Sequence, residues 1–131
     1  MCPEAQEKAP EVKKCILLVD DELAMIESLQ GILEKRDYRV VTAVDGEEAV
    51  HKARHEKPDL VVLDINIPKL NGHEVCGFLR SDEKLQHIPV VMITGQDQFE
   101  NRQKSTDLGS VSYLNKPFKV ETLLGVIEGF L

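Results

Sequence analysis

The sequence of 131 residues contains no tryptophan, only three cysteines and no long hydrophobic run. Cys2, Cys15 and Cys76 show no CxxC spacing, which argues against a disulfide framework and against a zinc site built from cysteine. No apolar stretch approaches the roughly 18 residues needed to cross a bilayer, and there is no signal-peptide pattern. We therefore expect a cytoplasmic protein with reduced thiols and no membrane contact.

Positive charge is also scarce. The chain has 16 Lys and Arg against 23 Asp and Glu, a formal net charge of −7, and its longest basic run is Lys13 and Lys14. Proteins that bind nucleic acid usually concentrate Lys and Arg on one surface, because most of the affinity comes from phosphate contacts. Direct nucleic-acid binding is therefore not expected of this chain.

The four histidines form no tight cluster of metal ligands. His51 and His55 stand four residues apart, which on a helix places both imidazoles on one side and would allow them to share a metal ion. An exposed polar helix face explains the same spacing, and the sequence alone favours that simpler interpretation.

Short apolar runs alternate with longer amphipathic stretches after residue 14. Residues 1–14 are charged and contain two prolines, so we expect a flexible tail there. Short, continuously apolar runs indicate strands that are covered on both faces. The predicted strands are residues 15–19, 38–43, 60–63, 90–93 and 111–114.

Apolar residues at helical spacing predict helices between these strands. The stripes consist of Leu23, Ile26, Leu29, Ile32 and Leu33; Ala49, Val50 and Ala53; Val75, Phe78 and Leu79; and Val120, Leu123, Leu124, Ile127 and Phe130. A fourth helix is predicted within residues 98–107, where Phe99 alone would anchor it. Strict alternation of five strands and five helices predicts one domain over residues 15–131. Its fold class is α/β, a (βα)5 doubly wound, flavodoxin-like five-stranded parallel sheet in the order 2-1-3-4-5.

Polar residues stand at the carboxyl ends of these strands, where ligands bind in such sheets. Asp20 and Asp21 end the first strand, Asp64 the third and Thr94 the fourth, while Lys116 follows the fifth. Each alone has a structural explanation as a helix cap or a lysine reaching water. Together they predict an acidic site that needs a cation, for which Mg²⁺ suits oxygen ligands. A lysine that neutralises phosphoryl oxygens then points to phosphoryl transfer onto a carboxylate.

Four motifs together resemble the receiver domain of two-component response regulators. They are ILLVDD at residues 16–21, DLVVLDINIP at residues 59–68 with Gly72, the pair Thr94 and Gly95, and YLNKPF at residues 113–118. The resemblance covers residues 14–131, nearly the whole chain, with the motifs in order at the expected strand ends.

The resemblance implies the chemistry of the site. Asp64 would be the phosphoacceptor, Lys116 the phosphate-contacting lysine and Thr94 the switch hydroxyl. Tyr113 would be the aromatic whose rotamer reports the state of Thr94. The bond from Lys116 to Pro117 is expected to be cis, which an X–Pro bond tolerates at low cost.

The resemblance also implies a metal site and a control of phosphate lifetime. Asp20, Asp21, Asp64 and the backbone carbonyl of Asn66 would hold Mg²⁺. The side chains of Asn66 and Gln96 would flank the phosphoryl group and tune how fast it is hydrolysed.

The function implied is signalling rather than enzymatic. The domain would take a phosphoryl group from the phosphohistidine of a histidine kinase or phosphotransfer protein. It would catalyse only that transfer and its own slow dephosphorylation. Phosphorylation would change the surface of the fourth predicted helix, the fifth strand and the last helix toward a downstream protein or output domain. A receiver that is never phosphorylated and acts as an interaction module is the alternative.

Two other classes of protein fit less well. A phosphatase of the haloacid-dehalogenase kind also uses an Asp nucleophile with Mg²⁺, but it needs a second Asp two residues later, where this chain has Asn66. A flavin binder with a flavodoxin-like fold would need a phosphate loop after the first strand, and Asp20 and Asp21 would repel a phosphate there.

Overall fold

The structure is a computed structural model that describes residues 13–95 and 111–131. The strands are β1 (Cys15–Val19), β2 (Arg39–Ala43), β3 (Leu60–Asp64), β4 (Val90–Thr94) and β5 (Val111–Asn115). The helices are α1 (Leu23–Lys35), α2 (Gly46–Glu56), α3 (Gly72–Ser81) and α4 (Val120–Phe130).

The five strands form one parallel sheet in the order β2-β1-β3-β4-β5, which confirms the predicted fold class. The observed strands agree with the predicted ones to within one residue at each end. Three of them end one residue later than predicted, at Asp64, Thr94 and Asn115. Asp64 and Thr94 therefore belong to the hydrogen-bonded ladder itself, which places their backbones with the precision of the sheet.

Alternate side chains of the strands point to opposite faces of the sheet and create two cores. The α2–α3 face buries Ala49 and Ala53 of α2 and Val75 and Leu79 of α3. The α1–α4 face buries apolar residues of the other two described helices, among them Ile26, Leu29, Leu33, Leu123 and Ile127. Cys15 and Cys76 are buried free thiols, and burial raises the pKa of both.

Three of the predicted apolar helix positions are wrong. Leu23 is 62% exposed, Phe78 is 43% exposed and Phe130, at the end of α4, is 37% exposed. Leu23 opens α1, where the stripe of buried residues has not yet met the sheet. In α3 the buried side runs through Val75, Cys76 and Leu79, so Phe78 turns toward solvent.

Side-chain caps define the starts of α2 and α3. The Asp45 carboxylate accepts a hydrogen bond from the Glu48 N–H at 2.8 Å, and Asn71 and Glu74 form a reciprocal capping box. In residues 13–95 and 111–131, no helix is long and apolar enough to cross a membrane. Most of the predicted tail, the predicted helix within residues 98–107 and Gln96 lie outside the residues that the structure describes.

Candidate functional site

Three carboxylates meet at the carboxyl edge of the sheet, as the sequence predicts. Asp20 and Asp21 follow β1 and Asp64 ends β3, and one oxygen from each lies within 4.8 Å of the other two. Asp20 and Asp64 are buried, whereas Asp21 is exposed. Since β1 and β3 are neighbours in the sheet, their register alone brings these side chains together.

Asp20 is the least solvated of the three carboxylates. Its Oδ1 accepts a hydrogen bond from the Glu22 N–H at 2.9 Å, while its buried Oδ2 accepts none from residues 13–95 and 111–131. Burial raises the pKa of Asp20, and the charges of Asp64 and Asp21 add to this, against the Glu22 N–H and Lys116, which lower it. The site therefore favours a cation or a proton at this carboxylate.

Both oxygens of Asp64 are engaged. Oδ1 accepts a hydrogen bond from the Asn66 N–H at 3.0 Å, and Oδ2 accepts one from Lys116 Nζ at 2.8 Å. The same ammonium lies 3.8 Å from Asp20 Oδ2. Burial lowers the pKa of Lys116, but its hydrogen bond to Asp64 and the charges of the two aspartates outweigh that, so its pKa is raised. Lys116 is therefore a persistent cation beside the carboxylates.

The backbone after β5 delivers Lys116 to this position. The Lys116 N–H donates to the Thr94 carbonyl at 2.8 Å, which continues the pairing of β4 with β5 beyond the strand end. The peptide bond from Lys116 to Pro117 is cis, as the resemblance implied. The pairing of the strands thus brings together Lys116 and Asp64, which are 52 residues apart in the sequence.

Thr94 ends β4, the neighbour of β3, and Tyr113 lies on β5, the next strand along the sheet. Thr94 is fully buried, and its hydroxyl donates to the Gly95 carbonyl at 3.0 Å. Tyr113 pairs in register with Met92 and packs against the core of the α2–α3 face. Gln96 lies beyond the described part of the chain, and Asn66 is exposed two residues after Asp64.

The loop between β3 and α3 is held by two glycines at positions where a Cβ does not fit. A Cβ on Gly72 would lie 2.7 Å from Ile65 Cα, and one on Gly46 would lie 2.1 Å from the Leu70 carbonyl oxygen. The Gly46 N–H also donates to the Pro68 carbonyl at 3.1 Å. The start of α2 therefore supports the loop that carries Asn66.

The sequence does not predict this role of Gly46. The signal in the sequence is a glycine in the first turn of a helix, directly after its Asp cap. Most residues with a side chain favour a helix more than glycine does, so a glycine there needs another reason. Lys69 has a left-handed backbone, with φ of 71°. Its ammonium lies 3.6 Å from Asp45, which adds an ion pair between the loop and α2.

A cavity of about 680 Å³ opens beside Lys116 on the α1–α4 face. It lies between α1 and the chain that leads into α4, and it is mostly apolar. Its lining consists of Met25, Ser28, Leu29, Ile32, Lys116, Pro117, Phe118 and Val120. This cavity was also not predicted, because each of its walls looks like an ordinary helix or turn in the sequence.

The donor set fits a hard divalent cation. The three carboxylates offer only oxygen ligands, and Asp20 Oδ2 is a buried oxygen that accepts no hydrogen bond from the described residues. Mg²⁺ prefers oxygen ligands, few from the protein and the others from water or phosphate. The residues present therefore suit the Mg²⁺ that the sequence predicts.

A family model described as the response regulator receiver domain matches residues 16–128. The alkaline phosphatase synthesis transcriptional regulatory protein PhoP of Bacillus subtilis is 46% identical over 120 residues, which are 92% of this chain and 49% of that protein. The DNA-binding dual master transcriptional regulator RpaA of Synechocystis is 39% identical over 116 residues, 88% of this chain and 48% of that protein. The chain thus spans about half the length of these curated relatives.

Solved structures agree with the topology. The chemotaxis protein CheY4 of Vibrio cholerae superposes with a TM-score of 0.85 at 31% identity, over 92% of this chain and all of that one. The non-phosphorylated HemR receiver domain of Leptospira biflexa gives a TM-score of 0.81 at 33% identity, over 90% of this chain and 94% of that one.

Proposed function

This chain belongs to the response regulator receiver domain family, and from that premise we propose that Asp64 accepts a phosphoryl group from a partner's phosphohistidine. The observation that carries the proposal is the contact of 2.8 Å between Lys116 Nζ and Asp64 Oδ2 inside the cluster of three carboxylates. A nucleophilic carboxylate, a fixed cation and an oxygen-rich cation site are the parts that phosphoryl transfer needs.

In the proposed reaction a carboxylate oxygen of Asp64 attacks phosphorus. The new O–P bond forms as the N–P bond to the donor imidazole breaks, and the imidazole leaves with the bonding electron pair. The Asn66 N–H and Lys116 hold the carboxylate in one orientation before the attack, which reduces the entropy that the reaction must lose.

Lys116 has a second task once the phosphoryl group arrives. Its ammonium can move from Asp64 Oδ2 to a phosphoryl oxygen and neutralise the charge that has been transferred. Asp20, Asp21, Asp64 and the Asn66 carbonyl would hold Mg²⁺, which when bound offsets the mutual repulsion of carboxylates and phosphoryl oxygens.

Thr94 is suited to report phosphorylation to the rest of the domain. Its hydroxyl now donates to the Gly95 carbonyl and would have to leave it to donate to a phosphoryl oxygen. In the proposed switch, Tyr113 then fills the space near Thr94, and the surface around β5 and α4 changes toward a downstream partner. This is a shift between two populations that phosphorylation biases by a few kcal/mol.

The apolar cavity between α1 and the start of α4 is a suitable place for the phosphohistidine donor to dock. Lys116 lines it and also contacts Asp64, so a partner held there lies next to the nucleophile. Leu23, two residues after Asp21 at the start of α1, is an exposed apolar side chain that the same partner could contact.

The test is incubation with acetyl phosphate followed by intact-mass measurement. We expect the wild-type chain to gain the mass of one phosphoryl group only when Mg²⁺ is present, and Asp64→Asn to gain none. Asp37→Asn is the matched control, because Asp37 is an exposed carboxylate after α1 and should leave the gain intact. A wild-type chain without any gain would favour a receiver that acts only as an interaction module.

We also propose that Asn66 and Gln96 set the lifetime of the phosphoaspartate. The Asn66 side chain is exposed two residues after Asp64, so its amide can orient a water molecule for hydrolysis. Asn66→Ala and Gln96→Ala should each change the rate at which the added mass is lost. An unchanged rate in both variants would contradict this role.

A further inference from the structure

Two histidines on the outer face of α2 lie close together. The ring centroids of His51 and His55 are 4.2 Å apart, and the ring planes are inclined by 38°. Both side chains are exposed. The spacing of four residues alone does not require this approach, since exposed side chains on neighbouring turns can point apart.

The surroundings of His55 determine which of its two ring nitrogens carries the proton. His55 Nδ1 lies 3.0 Å from the His51 carbonyl oxygen. A carbonyl oxygen only accepts, so the proton of the neutral ring is on Nδ1 and the lone pair is on Nε2. Histidines that ligate metals characteristically donate their second ring nitrogen to a backbone carbonyl in this way. His55 is therefore oriented as a metal ligand before any ion arrives.

The cationic side chains of the same helix are directed elsewhere. Lys52 Nζ donates to the Thr42 carbonyl at 2.6 Å and lies 3.2 Å from Glu48. Arg54 points to Asp82, with Nε 3.7 Å from the carboxylate. These partners hold the nearest like charges of α2 in ion pairs and hydrogen bonds, which lowers the repulsion that an incoming cation would meet.

We propose that His51 and His55 form a surface site for a late first-row divalent metal ion of the Ni²⁺, Cu²⁺ and Zn²⁺ group. Two imidazole nitrogens would bind the ion, and water would complete its coordination. Imidazole ligands favour these metals, whereas Mg²⁺ prefers oxygen. The site is thus distinct in chemistry and position from the acidic cluster at the sheet edge, and it does not depend on the proposed phosphorylation of Asp64.

The test is a titration of the full chain with Ni²⁺ in the presence of excess Mg²⁺, followed by ¹H–¹⁵N NMR. Paramagnetic broadening reports where the ion sits, so binding at the acidic cluster or at another histidine is recognised directly. We expect saturable loss of the amide signals around His51 and His55. In His51→Ala and in His55→Ala, the apparent affinity at this position should fall by at least about tenfold.

His87→Ala is the matched control, because His87 is exposed but is not on α2. It should leave the broadening of α2 unchanged. Alanine favours helices, so both α2 variants should keep the spectrum of the wild type elsewhere. Broadening that persists in His51→Ala, that centres on Asp64 or His87, or that is missing in the wild type would overturn the proposal.

Discussion

The two faces of the sheet are built differently where they approach Asp64. On the α2–α3 face, the loop after β3 lies directly on Gly46 and Gly72, with no room for a Cβ at either glycine. On the α1–α4 face, the chain after Lys116 leaves a cavity of about 680 Å³ against α1. Beside this site, the α2–α3 face has no space for a further methyl group, so we call it the closed face. The α1–α4 face contains the cavity, so we call it the open face.

This difference separates two requirements of the site. The closed face fixes the backbone that follows Asp64, because the Ile65 carbonyl accepts the Gly72 N–H at 2.8 Å and the Asn66 N–H is directed at the carboxylate. The open face supplies Lys116 and leaves space for a partner. Positional precision and access are therefore provided by opposite sides of one sheet.

The largest effect is expected from adding a methyl group to the closed face. Gly46→Ala should lower the free energy of unfolding by about 3 kcal/mol, because a backbone carbonyl would have to move. It should also slow phosphorylation by acetyl phosphate, since the displaced loop carries Asn66. Urea denaturation and the mass assay measure the two effects.

Gly31→Ala is the matched control for that substitution. Gly31 lies in α1, and no atom of the described part of the chain lies within 4 Å of an added Cβ, so the change should stabilise the chain by roughly 0.5–1 kcal/mol. Equal stability changes in the two variants would contradict the closed packing around Gly46.

The second prediction concerns the negative charge of the carboxylate cluster that lies between the two faces. Asp20→Asn should raise the free energy of unfolding at neutral pH without Mg²⁺ by roughly 1–3 kcal/mol, the repulsion between carboxylates about 5 Å apart. The raised pKa of Asp20 means that the folded protein binds a proton more tightly than the unfolded chain does. The contribution of Asp20 to stability therefore falls as pH rises from the ordinary carboxyl pKa through the raised one.

Thermal unfolding at several pH values, with Mg²⁺ and with a chelator, checks this prediction. The wild type should gain stability when Mg²⁺ is added, and the variant should lose most of that gain. A variant less stable than the wild type in chelator at neutral pH would show that Asp20 does not carry repulsive charge there.

A bulky residue placed in the open face tests access. Ser28 is exposed and lines the cavity, so Ser28→Trp should slow transfer from a phosphorylated histidine phosphotransfer protein by about tenfold, near 1.4 kcal/mol. Labelling by acetyl phosphate, which is small, should be unchanged.

Ser81→Trp makes the same exchange on α3, which packs on the other face. The Ser81→Trp variant should accept the phosphoryl group from the histidine phosphotransfer protein at the wild-type rate. Equal slowing in Ser28→Trp and Ser81→Trp would contradict docking at the cavity.

The smallest effect is expected from the ion pair that joins α1 and α4. Arg36 Nη1 lies 3.1 Å from Glu128 Oε2, and both side chains are at least half exposed. Arg36→Ala should cost less than about 1 kcal/mol, and the cost should shrink in high salt. A larger, salt-independent loss in urea denaturation would mean that the pair closes this face more firmly than its exposure indicates.

The sheet and its polar edge could be predicted because their signals are local. A continuous apolar run indicates a strand without any knowledge of its distant contacts. Parallel strands then necessarily bring their carboxyl ends to one edge of the sheet. Asp20, Asp64 and Lys116 were placed together on that basis, and the structure brings them within contact distance.

Other features depend on contacts between distant segments and were not predictable in this way. The helical spacing that includes Phe78 does not say which side of α3 meets the sheet. Gly46 looks ordinary until the loop after β3 lies against it. The proton position on His55 depends on a side-chain rotamer, for which a sequence holds no signal.

Because β3 extends to Asp64 and β4 to Thr94, the positions of these two side chains depend directly on the register of the strands. Asp64 pairs with Ile93, and Thr94 with Asn115. A slip of one residue would turn Asp64 to the opposite side of the sheet and leave Ile65 at the end of the strand. Under the proposed function, a chain that assembled with a misaligned sheet would therefore be badly packed and would also lack a phosphoacceptor at this edge.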